Sequence, residues 1–466
     1  MKNKNKIILR VLLSINLFFL ISIDANANTY NKLENYIINN NTLKNASISV
    51  IIKDLDKDKV LINYNANKLM TPASNIKILT SFLALEKLGK NYVFRTNLST
   101  DAYTDAETEN FSINNLYVNM SGDPTFKSKD LKKLVEDLRQ TGIKEIKGNV
   151  YIDKSIFDNI IYGPGWMWDD LDECDDSPIS PIYLDDNCLV ANISIKNNKV
   201  SLNTNNSLVL NTDNLLINDN SYENIESNLK GNILTISGKA NKNTNIEIER
   251  SIKDHESYFT STLENYLKEI IAFSGKILIN NDKNPNTIVL AEKKSEPLYK
   301  ILKRFNEESH NLTGELLLKT IAYNEDKKQG STKKGKEILK KHLNNLFKNY
   351  DFNVVDGSGL SRYNLISSEL LLKVLETMYK NPEYKEIIYE AFPIGGLEGT
   401  LRNRLKEIKN YKVIAKSGSM TGVNALSGYL VGKNKNTLGF SIIINNSTLS
   451  GKQLRDIQDQ ILELVN

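Results

Sequence analysis

The stretch that decides the fold is TPASNIKIL, residues 71–79, in a chain of 466 residues. Apolar side chains recur along it at helical spacing and continue as far as Leu88, where Gly89 can end a helix. Thr71 can cap the first turn, and Pro72 fits there because a first-turn N–H has no partner within the helix. The sequence therefore predicts a helix that runs from Thr71 to Leu88.

Strand patterns flank this helix towards both ends of the chain. Residues 46–52 and 60–64 are rich in β-branched side chains and are separated by a polar turn, which predicts a hairpin. Three more strands are predicted near the carboxyl terminus, over residues 412–416, 425–431 and 437–444, and a helix follows them. We expect one antiparallel five-stranded sheet flanked by helices, so that the fold class is α/β (α+β).

The middle of the chain has a different pattern of residue types. Over residues 96–285, short alternating runs are separated by turns rich in Asn, Asp and Gly, with a few helical patterns such as residues 128–141 and 257–274. This predicts a large β-rich insertion of one or two subdomains, interrupting a domain formed by residues 28–95 and 286–466. Longer helices are predicted in the last of these segments, over residues 296–306, 313–323, 333–347 and 367–379.

The first residues have the layout of an export signal. Lysines precede an apolar stretch over residues 7–23, and Ala25-Asn26-Ala27 follows it, which predicts a signal peptide over residues 1–27. The alternative is an uncleaved membrane anchor, but Arg10 interrupts the stretch, which is shorter than the roughly 20 residues of a spanning helix. We expect an exported protein of the periplasm or cell envelope, with at most peripheral membrane association.

The composition limits the chemistry that is available. With 60 basic and 56 acidic residues the net charge is +4, too balanced to indicate binding of nucleic acid. The chain has 3 His and 2 Cys, few ligands for a metal, so we expect neither a metal nor another cofactor. In an exported chain Cys174 and Cys188 predict a disulfide worth about 3 kcal/mol, the alternative being two unpaired thiols. Chemistry would then depend on Ser, Lys, Asn and the backbone.

Ser74 and Lys77 form an S-x-x-K motif in the first turn of the predicted helix. Residues i and i+3 share a helix face, so the Lys amine can reach the Ser hydroxyl and act as its base. A helix amino terminus also favours the negative charge that develops near an attacking oxygen. The motif recurs at residues 227–230 and 331–334, but neither copy opens a helix with an apolar stripe, so we expect both to be solvated surface.

A second motif, K-[ST]-G, occurs once, at Lys416, Ser417 and Gly418, where a predicted strand ends. Its amine can bind a substrate carboxylate, its hydroxyl can hydrogen-bond, and its glycine lets a substrate approach the backbone. Ser419 follows and can donate its backbone N–H to an oxyanion. The alternative is an exposed strand end that carries a lysine.

Ser309 and Asn311 form an S-x-N motif, which gains its weight from lying between the other two. The order S-x-x-K, S-x-N, K-[ST]-G resembles the active-site set of the penicillin-recognising serine enzymes. With its long gap before Ser309, the chain is similar to the class C low-molecular-mass penicillin-binding proteins, the D-alanyl-D-alanine carboxypeptidase/endopeptidase family. Further stretches resemble those of this family, at residues 122–125, 163–168, 186–188 and 356–362.

The resemblance covers essentially the whole mature chain and implies a β-lactamase/transpeptidase-like catalytic domain. It implies that Ser74 is the nucleophile that becomes acylated and that Lys77 is its general base. Ser309 and Asn311 would relay a proton to the leaving amine and orient the substrate. Lys416 would bind the terminal carboxylate, and its charge would help to keep one amine neutral.

Other residues are implied as parts of the substrate site. The backbone N–H of Ser419 would share the oxyanion hole with that of the nucleophile, each donor being worth about 3 kcal/mol. Arg362 and Met420 would lie along the side-chain pocket, and Asp169 or Asp170 would bind a free ammonium of the peptide. The alternative for the two acids is the solvated rim of a core built on the nearby Trp residues.

We therefore predict an exported serine-type D-Ala-D-Ala carboxypeptidase or endopeptidase, whose partners are peptidoglycan peptides and β-lactam antibiotics. The alternatives are a serine β-lactamase and a catalytically silent cell-wall-binding protein with the same fold. The long insertion argues against the first, and the three intact motifs argue against the second.

Overall fold

The computed structural model describes residues 31–103, 111–196, 199–204, 209–218, 224–231, 233–282, 287–434 and 436–465. The predicted signal peptide, residues 1–27, lies outside these ranges. Within them, no helix combines the length and the apolar character needed to cross a membrane.

Helices and strands are named in chain order. The helices are α1 (residues 31–39), α2 (Ile76–Leu88), α3 (Ser128–Gln140), α4 (His255–Ile270), α5 (Leu298–Glu307), α6 (Asn311–Asp326), α7 (Thr332–Leu346), α8 (Ser368–Lys380), α9 (Pro382–Ala391) and α10 (Gly451–Glu463). The strands are β1 (Ser47–Asp54), β2 (Lys59–Tyr64), β3 (Arg95–Thr100), β4 (Phe111–Ile113), β5 (Leu116–Asn119), β6 (Ile143–Ile146), β7 (Val150–Asp153), β8 (Cys188–Lys196), β9 (Lys199–Asn203), β10 (Val209–Asn211), β11 (Leu215–Asn218), β12 (Asn224–Lys230), β13 (Ile233–Asn241), β14 (Asn245–Ser251), β15 (Ala272–Phe273), β16 (Ile277–Asn280), β17 (Ile288–Lys294), β18 (Tyr411–Met420), β19 (Val423–Gly432) and β20 (Thr437–Asn445).

The chain divides into two compact units. Of the described residues, the first takes residues 31–85, Leu302–Ser309 and the residues from Leu339 onward, and the second takes those within Glu86–Ile301 and His310–Ile338. The second unit thus contains a segment from late in the chain in addition to the β-rich middle. The domain bounds expected from the sequence stay a prediction.

The first unit is built on an antiparallel sheet in the order β18-β19-β20-β1-β2, so the predicted five-stranded sheet is confirmed. β1 pairs with β20 along its whole length, from Ser47 opposite Asn445 to Asp54 opposite Leu438. Side chains alternate between the two faces of a strand, and β1 is buried almost throughout because both faces are covered. The core on one face includes side chains of β1, β19, β20 and α10, and on the other face Leu372 of α8 packs against β1.

The second unit contains the β-rich region that the sequence predicts. Its largest sheet has the order β16-β7-β5-β3-β17, in which β7 runs parallel to β5 and β16. The apolar faces of α3 and α4 share one core with this sheet. Smaller sheets are formed by β15-β6-β4, by β14-β8-β9, and by β10-β13-β11 with β12 paired to β13. A disulfide joins Cys174 to Cys188 at the start of β8.

Candidate active site

The proposed nucleophile lies in a tight turn and not in regular α-helix. Ser74 is the middle residue of a 3-10 helix, Ala73–Asn75, which leads directly into α2. Ala73 has a φ of 46°, a left-handed conformation that L-residues rarely adopt. Asn75 donates from Nδ2 to the carbonyl oxygen of Lys416 at 3.2 Å, which ties the turn to β18. Strain of this kind persists where neighbouring elements hold it, and it concentrates at functional sites.

The expected cap at Thr71 is wrong. Pro72 occupies the capping position and makes no side-chain cap. Thr71 instead exchanges two hydrogen bonds with Asn445, at the end of β20. Its N–H donates to Asn445 Oδ1 at 2.7 Å, and Asn445 Nδ2 donates to the Thr71 carbonyl at 3.0 Å. The sheet therefore fixes the chain just before the nucleophile turn.

A buried amine faces the hydroxyl of Ser74. Lys77 Nζ donates to Ser74 Oγ at 2.9 Å and to the carbonyl oxygen of Ser358 at 2.8 Å. Lys77 is completely buried, and its Nζ lies 5.9 Å from the centre of the Phe305 ring. A desolvated amine within hydrogen-bond reach of a hydroxyl can take its proton when the oxygen attacks.

A second buried amine lies beside Ser309. Lys416 Nζ donates to Ser309 Oγ at 2.9 Å and to the carbonyl oxygen of Ser417 at 2.7 Å. Burial holds the pKa of Lys416 well below its usual range, and the positive charge of Lys77 lowers this pKa further. Ser309 has a φ of 61°, another left-handed residue at the site.

The K-[ST]-G motif does not lie at a strand end, so that expectation is wrong. β18 continues past Lys416 as far as Met420 and stays paired with β19. A Cβ on Gly418 would lie 2.8 Å from Ser74 N and 3.0 Å from Ala73 Cβ. The backbone of β18 therefore runs against the nucleophile turn, and it does so because residue 418 has no side chain.

The side chains that follow Lys416 have partners at the same edge of the sheet. Ser417 Oγ donates to Thr400 Oγ1 at 2.7 Å, and Ser419 Oγ accepts from Asn424 Nδ2 at 2.8 Å. Arg362 Nη2 donates to the carbonyl oxygen of Thr421, at the turn that follows β18, at 3.0 Å.

Sequence reasoning gave Arg362 a role but gave none to Asp356, in the same loop. This side chain is completely buried and accepts hydrogen bonds from Gly359 N at 2.9 Å, Ser361 N at 2.6 Å and Asn364 Nδ2 at 2.7 Å. Burial raises the pKa of Asp356, and these N–H donors and the charge of Lys77 oppose the rise. The carboxyl group therefore sets the shape of the loop.

The loop contributes a backbone carbonyl to the site. Its Ser358 carbonyl accepts from Lys77, and a Cβ on Gly359, which has a φ of 91°, would clash with the Ala73 carbonyl. Residues 356–362 resemble a stretch of the family, so the sequence indicated that this loop is important. It could not indicate that the Ser358 carbonyl accepts from Lys77, because every residue has a backbone carbonyl.

The remaining predicted site residues lie in the second unit. Asn311 is the first residue of α6, and its Nδ2 donates to the carbonyl oxygen of Asp175 at 3.3 Å. Asp169 and Asp170 are exposed, and the N–H of Asp170 closes a turn on the carbonyl of Met167. The predicted residues that the structure brings together around the nucleophile turn of the first unit are Ser74, Lys77, Ser309, Lys416 and Gly418.

This arrangement can support acyl transfer. A buried amine can remove the proton of a serine that opens a helix while its oxygen attacks a carbonyl carbon. The second amine can bind an anionic group of a substrate, whose negative charge would favour the protonated form of that amine. In the described ranges, no group of three or more His, Cys, Asp or Glu side chains is placed to hold a metal ion.

A serine hydroxyl 2.9 Å from a buried lysine amine, beside a strand that carries a second buried lysine, is the arrangement expected of the penicillin-recognising serine enzymes. The family model described as "D-Ala-D-Ala carboxypeptidase 3 (S13) family" matches residues 29–466, and the chain belongs to this family.

Individual relatives agree with this assignment. The chain is 27% identical over 450 residues to the D-alanyl-D-alanine carboxypeptidase DacB of Haemophilus influenzae, covering 92% of this chain and 91% of DacB. The crystal structure of penicillin binding protein 4 (dacB) from Haemophilus influenzae is similar with a TM-score of 0.78 and 26% identity, over 91% of this chain and 97% of that one. Its complex with a β-lactam has a TM-score of 0.74 and 25% identity, over 91% and 96% of the two chains. The predicted family resemblance and fold class are confirmed.

Proposed function

We propose that this chain is a serine-type D-Ala-D-Ala carboxypeptidase, with endopeptidase action on related cross-links, that acts on peptidoglycan peptides through an acyl-enzyme at Ser74. The observation that carries the proposal is the completely buried amine of Lys77, 2.9 Å from Ser74 Oγ. Membership of the family supports the substrate class. The β-lactam complex of the Haemophilus influenzae protein supports β-lactams as ligands.

Acylation begins when neutral Lys77 takes the proton of Ser74 and the freed oxygen attacks the carbonyl carbon between the two D-alanines. The carbonyl oxygen becomes negative and is stabilised by the backbone N–H groups of Ser74 and Ser419, each worth about 3 kcal/mol. As the C–N bond breaks, Ser309 gives its hydroxyl proton to the leaving amine and receives the proton that Lys77 took from Ser74, so that Lys77 is neutral again. Lys416, bonded to Ser309, holds the terminal carboxylate of the substrate.

Deacylation reverses the proton path. Lys77 takes a proton from water, the hydroxide attacks the ester carbon, and Ser74 leaves with the proton returned to it. Asn311, two positions after Ser309 in the S-x-N motif, orients the substrate amide. A β-lactam is attacked in the same way, but its leaving nitrogen stays tethered to the acyl group, so the ester hydrolyses slowly.

The residues around the motifs would recognise the rest of the peptide. Ser417 and Gly418 border the bound carboxylate, and Arg362 and Met420 lie along the substrate side chain. Asp169 or Asp170 binds a free ammonium of the peptide.

The same proposal includes the cellular location. The layout of residues 1–27 supports export to the periplasm or cell envelope, where peptidoglycan is found.

Labelling with a fluorescent penicillin tests the proposal. Purified protein of residues 28–466 should become covalently labelled, and Ser74→Ala should remove the label. The matched control is Ser331→Ala in the S-x-x-K at residues 331–334, which should label like wild type. The expectation that this copy opens no helix is wrong, because it begins α7 and Ser331 Oγ accepts from Lys334 N at 3.1 Å. An unlabelled wild type, or a Ser74→Ala protein that labels fully, would contradict the acyl-enzyme.

Product analysis separates the remaining alternatives. Rapid release of hydrolysed penicillin would favour a β-lactamase, whereas release of D-Ala from pentapeptides supports the carboxypeptidase. Cleavage of cross-linked muropeptides would add the endopeptidase activity.

A further inference from the structure

His310, the middle residue of the S-x-N motif, caps the helix that Asn311 opens. Its Nδ1 accepts from the N–H of Thr313 at 3.3 Å and lies 2.8 Å from Thr313 Oγ1. Its other ring nitrogen, Nε2, lies 3.3 Å from Asp186 Oδ1. Because Nδ1 accepts, the proton of the neutral ring belongs on Nε2, where it faces the carboxylate.

Asp186 lies in an unusual turn. Asp185, Asp186 and Asn187 have φ values of 53°, 64° and 48°, so three successive residues are left-handed. Asp and Asn adopt this conformation more readily than other side chains do. The carboxylate of Asp186 also accepts from Lys127 Nζ at 2.5 Å and from the hydroxyl of Tyr183. These contacts fix the carboxylate that faces His310.

The residues on either side of Asp186 anchor the turn. Asp185 accepts from Ser128 N at 3.0 Å and from the Tyr258 hydroxyl at 2.8 Å, which connects the turn to α3 and α4. Asn187 donates from Nδ2 to the Pro178 carbonyl at 3.0 Å. Strained residues keep their conformation only where the surroundings determine it, so we read this turn as a rigid support.

The same support holds Asn311. The turn lies inside the loop that the Cys174–Cys188 disulfide closes, and at the other end of that loop the Asp175 carbonyl accepts from Asn311 Nδ2 at 3.3 Å. Two successive residues, His310 and Asn311, are thus held by two points of one closed loop.

We propose that His310 is a positioning residue. Asp186 fixes its imidazole, the imidazole caps α6, and the first residue of that helix, Asn311, is thereby presented in one orientation. The disulfide-closed loop, residues 174–188, is the frame that makes this possible. The inference rests on the proposed function, because Asn311 matters only if the S-x-N motif takes part in acylation.

The test compares His310→Ala with Asp254→Ala. Asp254 caps α4 in the same unit by accepting from Ser257 N at 3.2 Å, so its loss removes an equivalent cap away from the motif. Both variants should lower the Tm by similar amounts. Only His310→Ala should slow penicillin acylation, by about 10-fold to 100-fold, which is the order expected when a reacting group is misplaced. His310→Asn should recover part of the rate, because Asn is a strong helix cap.

The outcomes separate the two proposals. Equal acylation rates for wild type and His310→Ala would overturn the positioning role while leaving the acyl-enzyme intact. Equal slowing by Asp254→Ala would also overturn it, since a general loss of stability would then explain the effect, and so would a His310→Asn rate no higher than that of His310→Ala. A wild type that takes no label would remove the proposed function and this inference together.

A further variant tests the role of the disulfide that closes the loop of residues 174–188. Cys174→Ser with Cys188→Ser should slow acylation in the same direction as His310→Ala in protein that remains folded by circular dichroism. A folded double variant with the wild-type acylation rate would show that the disulfide is not needed to position His310 and Asn311.

Discussion

The positive charge of Lys77 lowers the pKa of Lys416, an amine whose burial already favours the neutral form. Two completely buried lysines in one unit cannot both keep their protons without a large desolvation cost. Without substrate the pair therefore favours neutral Lys416 beside charged Lys77. In the proposed mechanism a substrate carboxylate next to Lys416 favours the charged form of Lys416, which leaves Lys77 as the neutral base.

This relationship predicts that Lys416→Met stabilises the protein. In the unfolded chain the amine stays protonated up to about pH 10.4, whereas in the folded protein it releases its proton at lower pH. The unfolded chain then binds more protons, so the stability of wild type should rise with pH between the two pKa values. Met removes the charged group at similar volume and should raise the free energy of unfolding at neutral pH by about 1–4 kcal/mol.

Urea denaturation over a pH series measures this effect. The control is Lys412→Met, an exposed lysine on the same strand, which should change little. A Lys416→Met protein that is less stable than wild type at neutral pH would contradict this prediction, since the hydrogen bonds of Lys416 would then outweigh the cost of burying its amine. The stabilised variant should nevertheless fail to label with penicillin.

Lys77→Ala should lower the rate constant of acylation by about 100-fold to 10,000-fold, the range of a lost general base. Stopped-flow mixing with a fluorescent penicillin gives this rate constant. Lys334→Ala, from the S-x-x-K at residues 331–334, is the matched control and should acylate like wild type. Acylation of Lys77→Ala at nearly the wild-type rate would exclude Lys77 as the base.

Asp356→Asn should damage both stability and acylation. The Asn side chain has an NH₂ group in place of one carboxylate oxygen. This group would face at least one of the two backbone N–H donors, of Gly359 and Ser361, from which the carboxylate now accepts. Leaving such a buried donor unpaired costs about 1–3 kcal/mol. Because the same loop supplies the Ser358 carbonyl to Lys77, acylation should slow as well. Denaturant titration and labelling kinetics of one preparation give both values, and an unchanged protein by both would refute the role of the loop.

Gly418→Ala should slow acylation without unfolding the protein. The new methyl group would lie 2.8 Å from Ser74 N, closer than real Cβ contacts, so β18 or the nucleophile turn must move. A misplacement of about 1 Å is worth on the order of 100-fold in rate. Gly451→Ala, whose new methyl would meet only the flexible end of Arg455 at 3.3 Å, serves as the control. Equal labelling rates for the two variants would show that a shift of the turn does not change the rate of acylation.

Regular elements were predictable because their signals are local. The apolar spacing predicts a helix over residues 367–379, and α8 spans Ser368–Lys380. The β-branched run over residues 46–52 predicts β1, found at Ser47–Asp54. α9 was not predicted, although Asn381 caps it and Pro382 opens it, because these start signals follow α8 with no intervening loop.

The geometry around the nucleophile was not predictable to the same degree, because tertiary contacts impose it. Nothing local marks Ala73 or Ser309 as left-handed, since both conformations run against the preference of the residue itself. The exchange of hydrogen bonds between Thr71 and Asn445 depends on a strand that lies far along the chain. Residue types in the sequence identified the candidate catalytic groups, whereas long-range contacts set the geometry of those groups.

The pairing of β1 with β20 has a consequence for how the protein folds. Ser47 lies opposite Asn445, so the sheet brings together two segments that are synthesised at opposite ends of the chain. Contacts of such long sequence separation close late and make folding slow. Since Asn445 also holds Thr71 beside the turn that contains Ser74, this serine acquires its final environment only when β20 has paired with β1. We therefore expect a chain that has been synthesised only as far as β19 to lack penicillin-labelling activity.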